Sequence, residues 1–144
     1  MGTVKATAST TVDAPPERVL EILRDYNARP QLLTDNYSQY RVEAGGSGAG
    51  TVIGFHFAAG GRERDYRLRA EEEAGVLRER DELSSIVNTW RVAPQGGGTA
   101  VTLEATWDGA SGIGGIFEGL FAPLGLRRIY SQVLARLARI ASGK

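Results

Sequence analysis

The sequence predicts an α+β fold in which a seven-stranded antiparallel sheet is covered by a long C-terminal helix. Residues 37–108 alternate apolar and polar side chains between turn-forming residues, as half-buried strands do. Residues 124–141 repeat apolar side chains at helical spacing, with arginines between them. An apolar segment, residues 113–122, precedes this helix, and Gly119 and Pro123 weaken the junction. A helix with such a joint, laid over a sheet, is suited to cover an internal cavity.

The composition is that of an ordinary globular domain. With 144 residues, 42% hydrophobic and 24% charged, the chain is expected to form one domain over residues 1–144. Seventeen basic residues balance seventeen acidic ones, so no net charge recruits nucleic acid or an anionic membrane. The absence of cysteine and the single histidine exclude Cys-ligated and His-rich metal sites and leave almost no room for Ser-His-Asp chemistry. Without a leader-like N-terminus or a long apolar run, a cytoplasmic location is expected.

The N-terminal quarter contains one strand and two helical pieces. Residues 3–12 alternate apolar and polar side chains and predict the first strand. Asp13, two prolines and Glu17 predict a helix start. Proline is tolerated in the first turn, and an acidic side chain there interacts favourably with the positive end of the helix dipole. This helix is expected to end near Asn27, and Pro30 then opens a short second helical piece over residues 31–33.

The central part of the chain predicts a meander of six strands, joined by turns rich in glycine, serine and proline. The expected strands are residues 37–44, 50–58, 62–72, 76–83, 86–93 and 99–108. In the helix that follows, one face carries the apolar side chains and the other carries arginines. The apolar face comprises Leu126, Ile129, Tyr130, Val133, Leu134, Leu137 and Ile140, and the opposite face comprises Arg127, Arg128, Gln132, Arg136 and Arg139.

Turn lengths predict which residues share a face of the sheet, because side chains alternate with a period of two. Two-residue turns at 60–61, 74–75 and 84–85 place Phe55 opposite Tyr66, Asp81 opposite Asn88, and Glu79 opposite Trp90. One face is then mostly apolar. It carries Ile53, Phe55, Phe57, Tyr66, Leu68, Leu77, Leu83, Ile86, Trp90, Val92, Leu103, Ala105 and Trp107.

Four polar residues share that apolar face: Arg64, Glu79, Asp81 and Asn88. A carboxylate in an apolar interior must be paired, hydrated or protonated, and a water-containing cavity would hydrate it. Alternatively, Glu79 and Asp81 lie at the rim of the sheet or at a bulge and reach solvent. The lone histidine, His56, falls on the opposite, charged face, where we expect a surface pair with Asp65 rather than a catalytic role.

The order of strand, helix pair, meander and terminal helix is accompanied by short motifs. These are VDAPPERV at residues 12–19, GAGT at 48–51, TWRV at 89–92 with GTAVT at 98–102, and the glycine-rich entry to the last helix. On these features the chain resembles the SRPBCC (START/Bet v 1-like) superfamily, and most closely its bacterial polyketide cyclase/dehydrase and lipid-transport-like branch. The resemblance implies a helix-grip fold with a curved sheet and two short helices, an apolar ligand held between sheet and terminal helix, and no shared metal or organic cofactor.

The preferred hypothesis is binding of a small hydrophobic, lipid- or polyketide-like molecule by a protein that is monomeric or weakly dimeric. The expected cavity lining is Phe55, Tyr66, Trp90, Trp107, Phe117 and Phe121, with Glu79, Asp81 and Asn88 as polar orienting groups. The alternative is a polyketide cyclase or dehydratase, which needs little beyond a shaped pocket and one positioned acid or base. Glu79 or Asp81 would then transfer the proton, and Tyr66 or Asn88 would polarise a carbonyl. A third hypothesis is that the protein is an interaction module with a nearly filled core.

Overall fold

The computed structural model describes residues 3–108 and 123–143. In chain order these residues form nine regular elements and a short 3-10 helix, which has no number here. They are β1 (Thr3–Val12), α1 (Pro16–Arg24), the 3-10 helix (Arg29–Leu32), β2 (Tyr37–Ala44), β3 (Val52–Ala59), β4 (Arg62–Glu73), β5 (Val76–Asp81), β6 (Val87–Gln95), β7 (Gly98–Asp108) and α2 (Pro123–Ala141).

The strands form one antiparallel sheet in the order β1-β7-β6-β5-β4-β3-β2. Strands β2 to β7 are a meander, and β1 pairs along its whole length with the last strand, β7. Helix α2 packs against β1, β7, α1 and the 3-10 helix, so the helices lie on one face of the sheet. This is the helix-grip arrangement, and it places β5 at the centre of the sheet, beneath the helical layer.

The alternation of apolar side chains on one face of the sheet is confirmed. Phe55, Tyr66, Trp90, Leu103 and Trp107 are all buried on the face that the helices cover. Burial of a side chain of this size contributes about 1.5–3 kcal/mol to folding, so the covered face supplies much of the stability. The apolar stripe of α2 closes the core from above with Leu126, Ile129, Tyr130, Val133, Leu134 and Leu137, all buried.

The register between β5 and β6 differs from the expected one by two residues. Glu79 lies opposite Asn88 and Leu77 opposite Trp90, whereas the sequence suggested Glu79 opposite Trp90. Strand β5 ends at Asp81 and β6 begins at Val87, so the connection spans residues 82–86 and is longer than the two residues assumed. A shift of two preserves the faces, but Leu83 leaves the strand and is 56% exposed.

The helix boundaries also differ in detail. Helix α1 ends at Arg24 rather than near Asn27, and Pro30 lies within a 3-10 helix that begins one residue earlier. Arg136, expected on the solvated face of α2, is partly buried and donates a hydrogen bond to the Leu33 carbonyl. Pro123 is the first described residue of α2, and the expected joint at residues 113–122 lies outside the described residues.

None of the described helices is both long enough and apolar enough to cross a membrane. Over the same residues, no cluster of three or more histidine, aspartate or glutamate side chains is arranged to hold a metal ion.

Candidate ligand site

A buried ion pair lies between the helical layer and the centre of the sheet. Arg29, at the start of the 3-10 helix, is 3% exposed, and Glu79, on β5, is 2% exposed. Their side chains approach to 2.9 Å between Nη1 and Oε2. The same Oε2 accepts a hydrogen bond from the Tyr26 hydroxyl at 2.7 Å, and Oε1 accepts one from the Trp90 indole at 3.2 Å. Both oxygens of the carboxylate are therefore engaged by protein donors.

The guanidinium of Arg29 is held on several sides. Its Nη2 donates to the Leu23 carbonyl at 2.7 Å, and its central carbon lies 4.5 Å from the Tyr26 ring centre and 5.2 Å from that of Trp90. Burial is the largest influence and lowers the pKa of Arg29, but the nearby Glu79 carboxylate, with smaller contributions from Tyr26 and Tyr40, raises it above its ordinary value, so the group stays charged. Within the described part of the chain, its Nε has no hydrogen-bond partner although it is buried.

A glycine-rich loop after β2 fixes the end of α1 and thus the position of Tyr26. The Gly46 carbonyl accepts from the Tyr26 amide at 3.0 Å, and the Gly48 amide donates to the Arg24 carbonyl at 3.0 Å. Gly46 has a φ of 142°, and a Cβ there would lie 2.9 Å from the Asn27 side chain. The loop therefore needs glycine at this position to approach the helix end so closely.

Two small pockets lie between the sheet and α2, and the first of them adjoins the ion pair. Their volumes are about 30 Å³ and about 20 Å³. Each has room for one or two water molecules or for the polar end of a ligand. Both pockets are bounded by Tyr37, Phe55, Asn88 and Tyr130; the first is also lined by Arg29, Leu33, Tyr40, Ile53, Leu68, Glu79, Trp90, Leu103 and Val133, and the second by Phe57, Tyr66, Ile86 and Leu126.

All five tyrosines of the sequence gather around this site. Tyr37, Tyr40, Tyr66 and Tyr130 line the pockets, and Tyr26 lies behind Glu79. Burial is the main cause that raises the pKa of each of these phenols above its ordinary value. The phenols therefore stay neutral and present hydroxyl groups, which both donate and accept hydrogen bonds.

The tyrosine hydroxyl groups differ in whether they have a hydrogen-bond partner. Tyr130 donates to the Asn88 Oδ1 at 3.1 Å, and Tyr40 donates to the Tyr26 carbonyl at 2.6 Å. The hydroxyls of Tyr37 and Tyr66 make no hydrogen bond with the described residues, although both rings pack in an aromatic cluster with Phe55. The pockets thus combine apolar ring surfaces with unfilled hydrogen-bonding capacity.

The structure brings several residues singled out from the sequence to the pockets and leaves others away from them. Phe55, Tyr66, Glu79, Asn88 and Trp90 line one or both pockets. Trp107 is buried on the same face of the sheet but is not among the residues that line these two pockets. Phe117 and Phe121 lie outside the described residues.

Asp81 is buried, and its side chain accepts the hydrogen bonds that stabilise the turn after β5. Its Oδ1 accepts from the backbone amides of Arg67 and Leu83 at 3.0 and 3.2 Å. Its Oδ2 accepts from the Ser84 hydroxyl at 2.6 Å and from Arg64 at 3.1 Å. These contacts account for the longer β5–β6 turn. The carboxylate is satisfied by protein groups, as that of Glu79 is, rather than by bulk water.

The expected surface pair at His56 is present. The Nδ1 of His56 lies 2.8 Å from Asp65, and its Nε2 lies 2.8 Å from Glu63, a second partner that the sequence did not suggest. Hydrogen bonding to Asp65, and then to Glu63, raises the pKa of His56. The group lies on the face of the sheet away from the helices, far from a role in the pockets.

Sequence patterns did not identify Arg29, Tyr37 and Tyr40 as lining residues, or Tyr26 as the partner of Glu79 behind them. Tyr26 and Arg29 both follow the end of α1, where backbone geometry rather than periodicity decides the direction of a side chain. One signal was available in the sequence. Four of the five tyrosines lie on segments that face the predicted helical layer or directly follow one of its helices, and the fifth, Tyr130, lies on the apolar stripe of the last helix.

Residues 3–142 match the family model described as polyketide cyclase / dehydrase and lipid transport. The chain belongs to this family, and with it to the SRPBCC superfamily. Its fold and family are compatible with hydrophobic ligand binding or with polyketide cyclase activity. A search of curated proteins gave no match.

Solved structures are similar to the chain along almost its whole length. The KanY protein is 42% identical, with 98% of this chain and 99% of that chain covered and a TM-score of 0.87. A major latex-like protein from Panax ginseng is 15% identical, with 96% and 97% covered and a TM-score of 0.71. The Zhui aromatase/cyclase from Streptomyces sp. R1128 is 15% identical, with 98% of each chain covered and a TM-score of 0.69. At that identity the last two show the shared fold alone.

Proposed function

We propose that the protein binds a small lipid- or polyketide-like molecule, with its oxygen-bearing end in the pockets between the sheet and α2. The observation that carries this proposal is the unfilled hydrogen-bonding capacity inside an aromatic enclosure. The Arg29 Nε and the hydroxyls of Tyr37 and Tyr66 lack protein partners among the described residues. Phe55 and Trp90 supply apolar ring surface beside them.

Unpaired buried polar groups are uncommon, and each costs about 1–3 kcal/mol unless water or a ligand satisfies it. Within the described residues the Arg29 Nε is such a group, and the unbonded hydroxyls of Tyr37 and Tyr66 add hydrogen-bonding capacity in the two pockets, which favours a ligand with hydrogen-bonding oxygens. The pocket volumes suit a carbonyl or hydroxyl rather than a whole ligand. A larger ligand has to displace lining side chains, among which Leu33, Tyr37, Tyr40 and Asn88 are only partly buried.

Removal of a single pocket hydroxyl tests the proposal. Tyr37→Phe deletes a hydroxyl that no described residue bonds, so the free energy of unfolding should change by less than about 0.5 kcal/mol. Affinity for a neutral aromatic ketone, such as naphthyl methyl ketone, should fall about five- to tenfold, because one hydrogen bond is lost. Calorimetry and tryptophan fluorescence would measure the binding, and urea denaturation the stability.

The matched control is Tyr26→Phe. Tyr26 bonds Glu79 but lines neither pocket, so this variant should lose stability while its affinity for the ketone changes less than twofold, about 0.4 kcal/mol. If the ketone shows no saturable binding to the wild-type protein, or if it binds Tyr37→Phe and the wild type equally, the pockets are not the ligand site.

The alternative function is a cyclase or dehydratase reaction with Glu79 as the pocket acid or base. The family description and the presence of this carboxylate in a pocket wall favour it. However, three protein donors already engage the two oxygens of Glu79, which suits a fixed counter-ion better than a group that exchanges protons with a substrate. Loss of turnover of an aromatic polyketide surrogate in Glu79→Gln, with binding retained, would favour catalysis.

A further inference from the structure

The charges in the pocket walls cancel. Among the described residues that line the two pockets, Arg29 and Glu79 are the charged side chains, and they neutralise each other at 2.9 Å. The remaining polar groups are the phenols of four tyrosines, the Asn88 amide and the Trp90 indole, all of them neutral. The site therefore offers hydrogen bonds without a net charge.

We infer that the pocket selects uncharged ligands, with ketone or hydroxyl oxygens at the buried end, over their carboxylate analogues. This inference rests on the proposed function and names its ligand class. A carboxylate placed beside Arg29 and Glu79 would be a third buried charge, with no counter-ion of its own among the lining residues. An unpaired buried charge costs several kcal/mol. Burial of a carbonyl oxygen costs little when a buried N–H donates a hydrogen bond to it.

The geometry of Arg29 strengthens this selection. Carboxylates bind arginine best through two parallel hydrogen bonds from the guanidinium fork. Here Nη1 already contacts Glu79 and Nη2 donates to the Leu23 carbonyl, which leaves Nε as the unpartnered position. A single N–H suits one acceptor oxygen, as in a ketone, and does not offer the paired contact that a carboxylate requires.

Two isosteric probes test the selection in the wild-type protein. Naphthyl methyl ketone and naphthoate, substituted at the same ring position, differ in that a methyl group replaces a charged oxygen. At about pH 7 the ketone should bind at least roughly tenfold more tightly, measured by calorimetry. The affinity for naphthoate should rise about tenfold per pH unit as the pH falls towards the pKa of the free acid, because only the protonated acid binds, while the ketone affinity stays constant.

The variant Glu79→Gln provides a second test of the preference for the ketone. This variant leaves Arg29 without its counter-ion, so naphthoate should gain at least about tenfold relative to the ketone. Glu71→Gln removes the same charge from an exposed pair with Arg80 and should leave the preference unchanged. If Glu79→Gln does not fold, the pH series on the wild type decides alone.

The outcomes separate this inference from the proposed function. Equal binding of ketone and naphthoate, with no pH dependence, would overturn the selection of neutral ligands while the binding function stands. Failure of both probes to bind would overturn the function and the inference together.

Discussion

The Arg29 guanidinium and the Glu79 carboxylate form a buried ion pair that joins the helical layer to β5, the central strand of the sheet. The Arg29 guanidinium lies over the rings of Tyr26 and Trp90, and these two side chains also donate hydrogen bonds to Glu79. The pair therefore fixes the floor of the pockets and the position of the 3-10 helix at once. The account of this protein depends on that arrangement.

Removal of one partner of this pair should be strongly destabilising. Glu79→Gln leaves Arg29 buried and unpaired, and the free energy of unfolding should fall by about 3–5 kcal/mol. The measurement is urea denaturation at neutral pH. The double replacement Arg29→Met with Glu79→Met should cost less than Glu79→Gln alone, because no charge remains buried. Equal stability of Glu79→Gln and the wild type would mean that the pair is solvated and not a structural link.

Asp81 should prove to be a stability residue without a role in binding. Asp81→Ala removes the acceptor for two backbone amides and the Ser84 hydroxyl and unpairs Arg64. Stability should fall by about 2–4 kcal/mol, since several hydrogen bonds to one buried carboxylate are lost together. In conditions where the variant is folded, ketone affinity should match the wild type. A selective loss of affinity with stability retained would place Asp81 in the ligand site instead.

His56 should titrate above its ordinary pKa of about 6.5. Because the folded-state pKa is raised, the stabilisation by the Asp65 and Glu63 contacts is present below the ordinary pKa and is lost as the pH rises through the folded pKa. As the single histidine of the sequence, His56 gives an unambiguous proton resonance. Asp65→Asn should lower the midpoint more than Glu63→Gln does. A midpoint at or below the ordinary value would contradict the paired geometry.

The tyrosines should resist ionisation until the protein unfolds. Their folded-state pKa values are raised, so their contribution to stability is full below about pH 10 and falls as the pH rises above it. Each phenol should remove about 1.4 kcal/mol per pH unit in that range. The ultraviolet absorbance of tyrosinate should therefore rise together with the loss of circular dichroism. Gradual ionisation in a protein that stays folded would show that the phenols are exposed.

Much of the sheet could be predicted from the sequence, because alternation and turn residues are local signals. The pairing of Phe55 with Tyr66 follows from the two glycines at residues 60–61 and is confirmed. The predicted position of Leu83 was wrong, since the β5–β6 turn is set by hydrogen bonds that the Asp81 side chain accepts from Leu83 and Ser84 and is not a two-residue loop. Side-chain capping of a turn leaves no periodic trace in a sequence.

The site was only partly predictable for a different reason. Glu79 and Asn88 were found because a polar residue on an apolar strand face breaks a pattern. Arg29 lies in a short helical connection without a pattern to break, and its partner Glu79 is distant in the chain. Such a pair depends on how the helical layer is placed over the sheet, which local sequence does not specify.

The most direct test of the ligand site is nuclear magnetic resonance of three side-chain N–H groups. Titration of the labelled protein with naphthyl methyl ketone should shift the Nε–H signal of Arg29 and the indole signal of Trp90, because both residues line the first pocket and the Arg29 Nε has no partner among the described residues. The indole signal of Trp107, which lines neither pocket, should move much less. Saturable shifts of Arg29 and Trp90 would support the account. Shifts confined to surface residues, or equal shifts of both indoles with Arg29 unmoved, would contradict it.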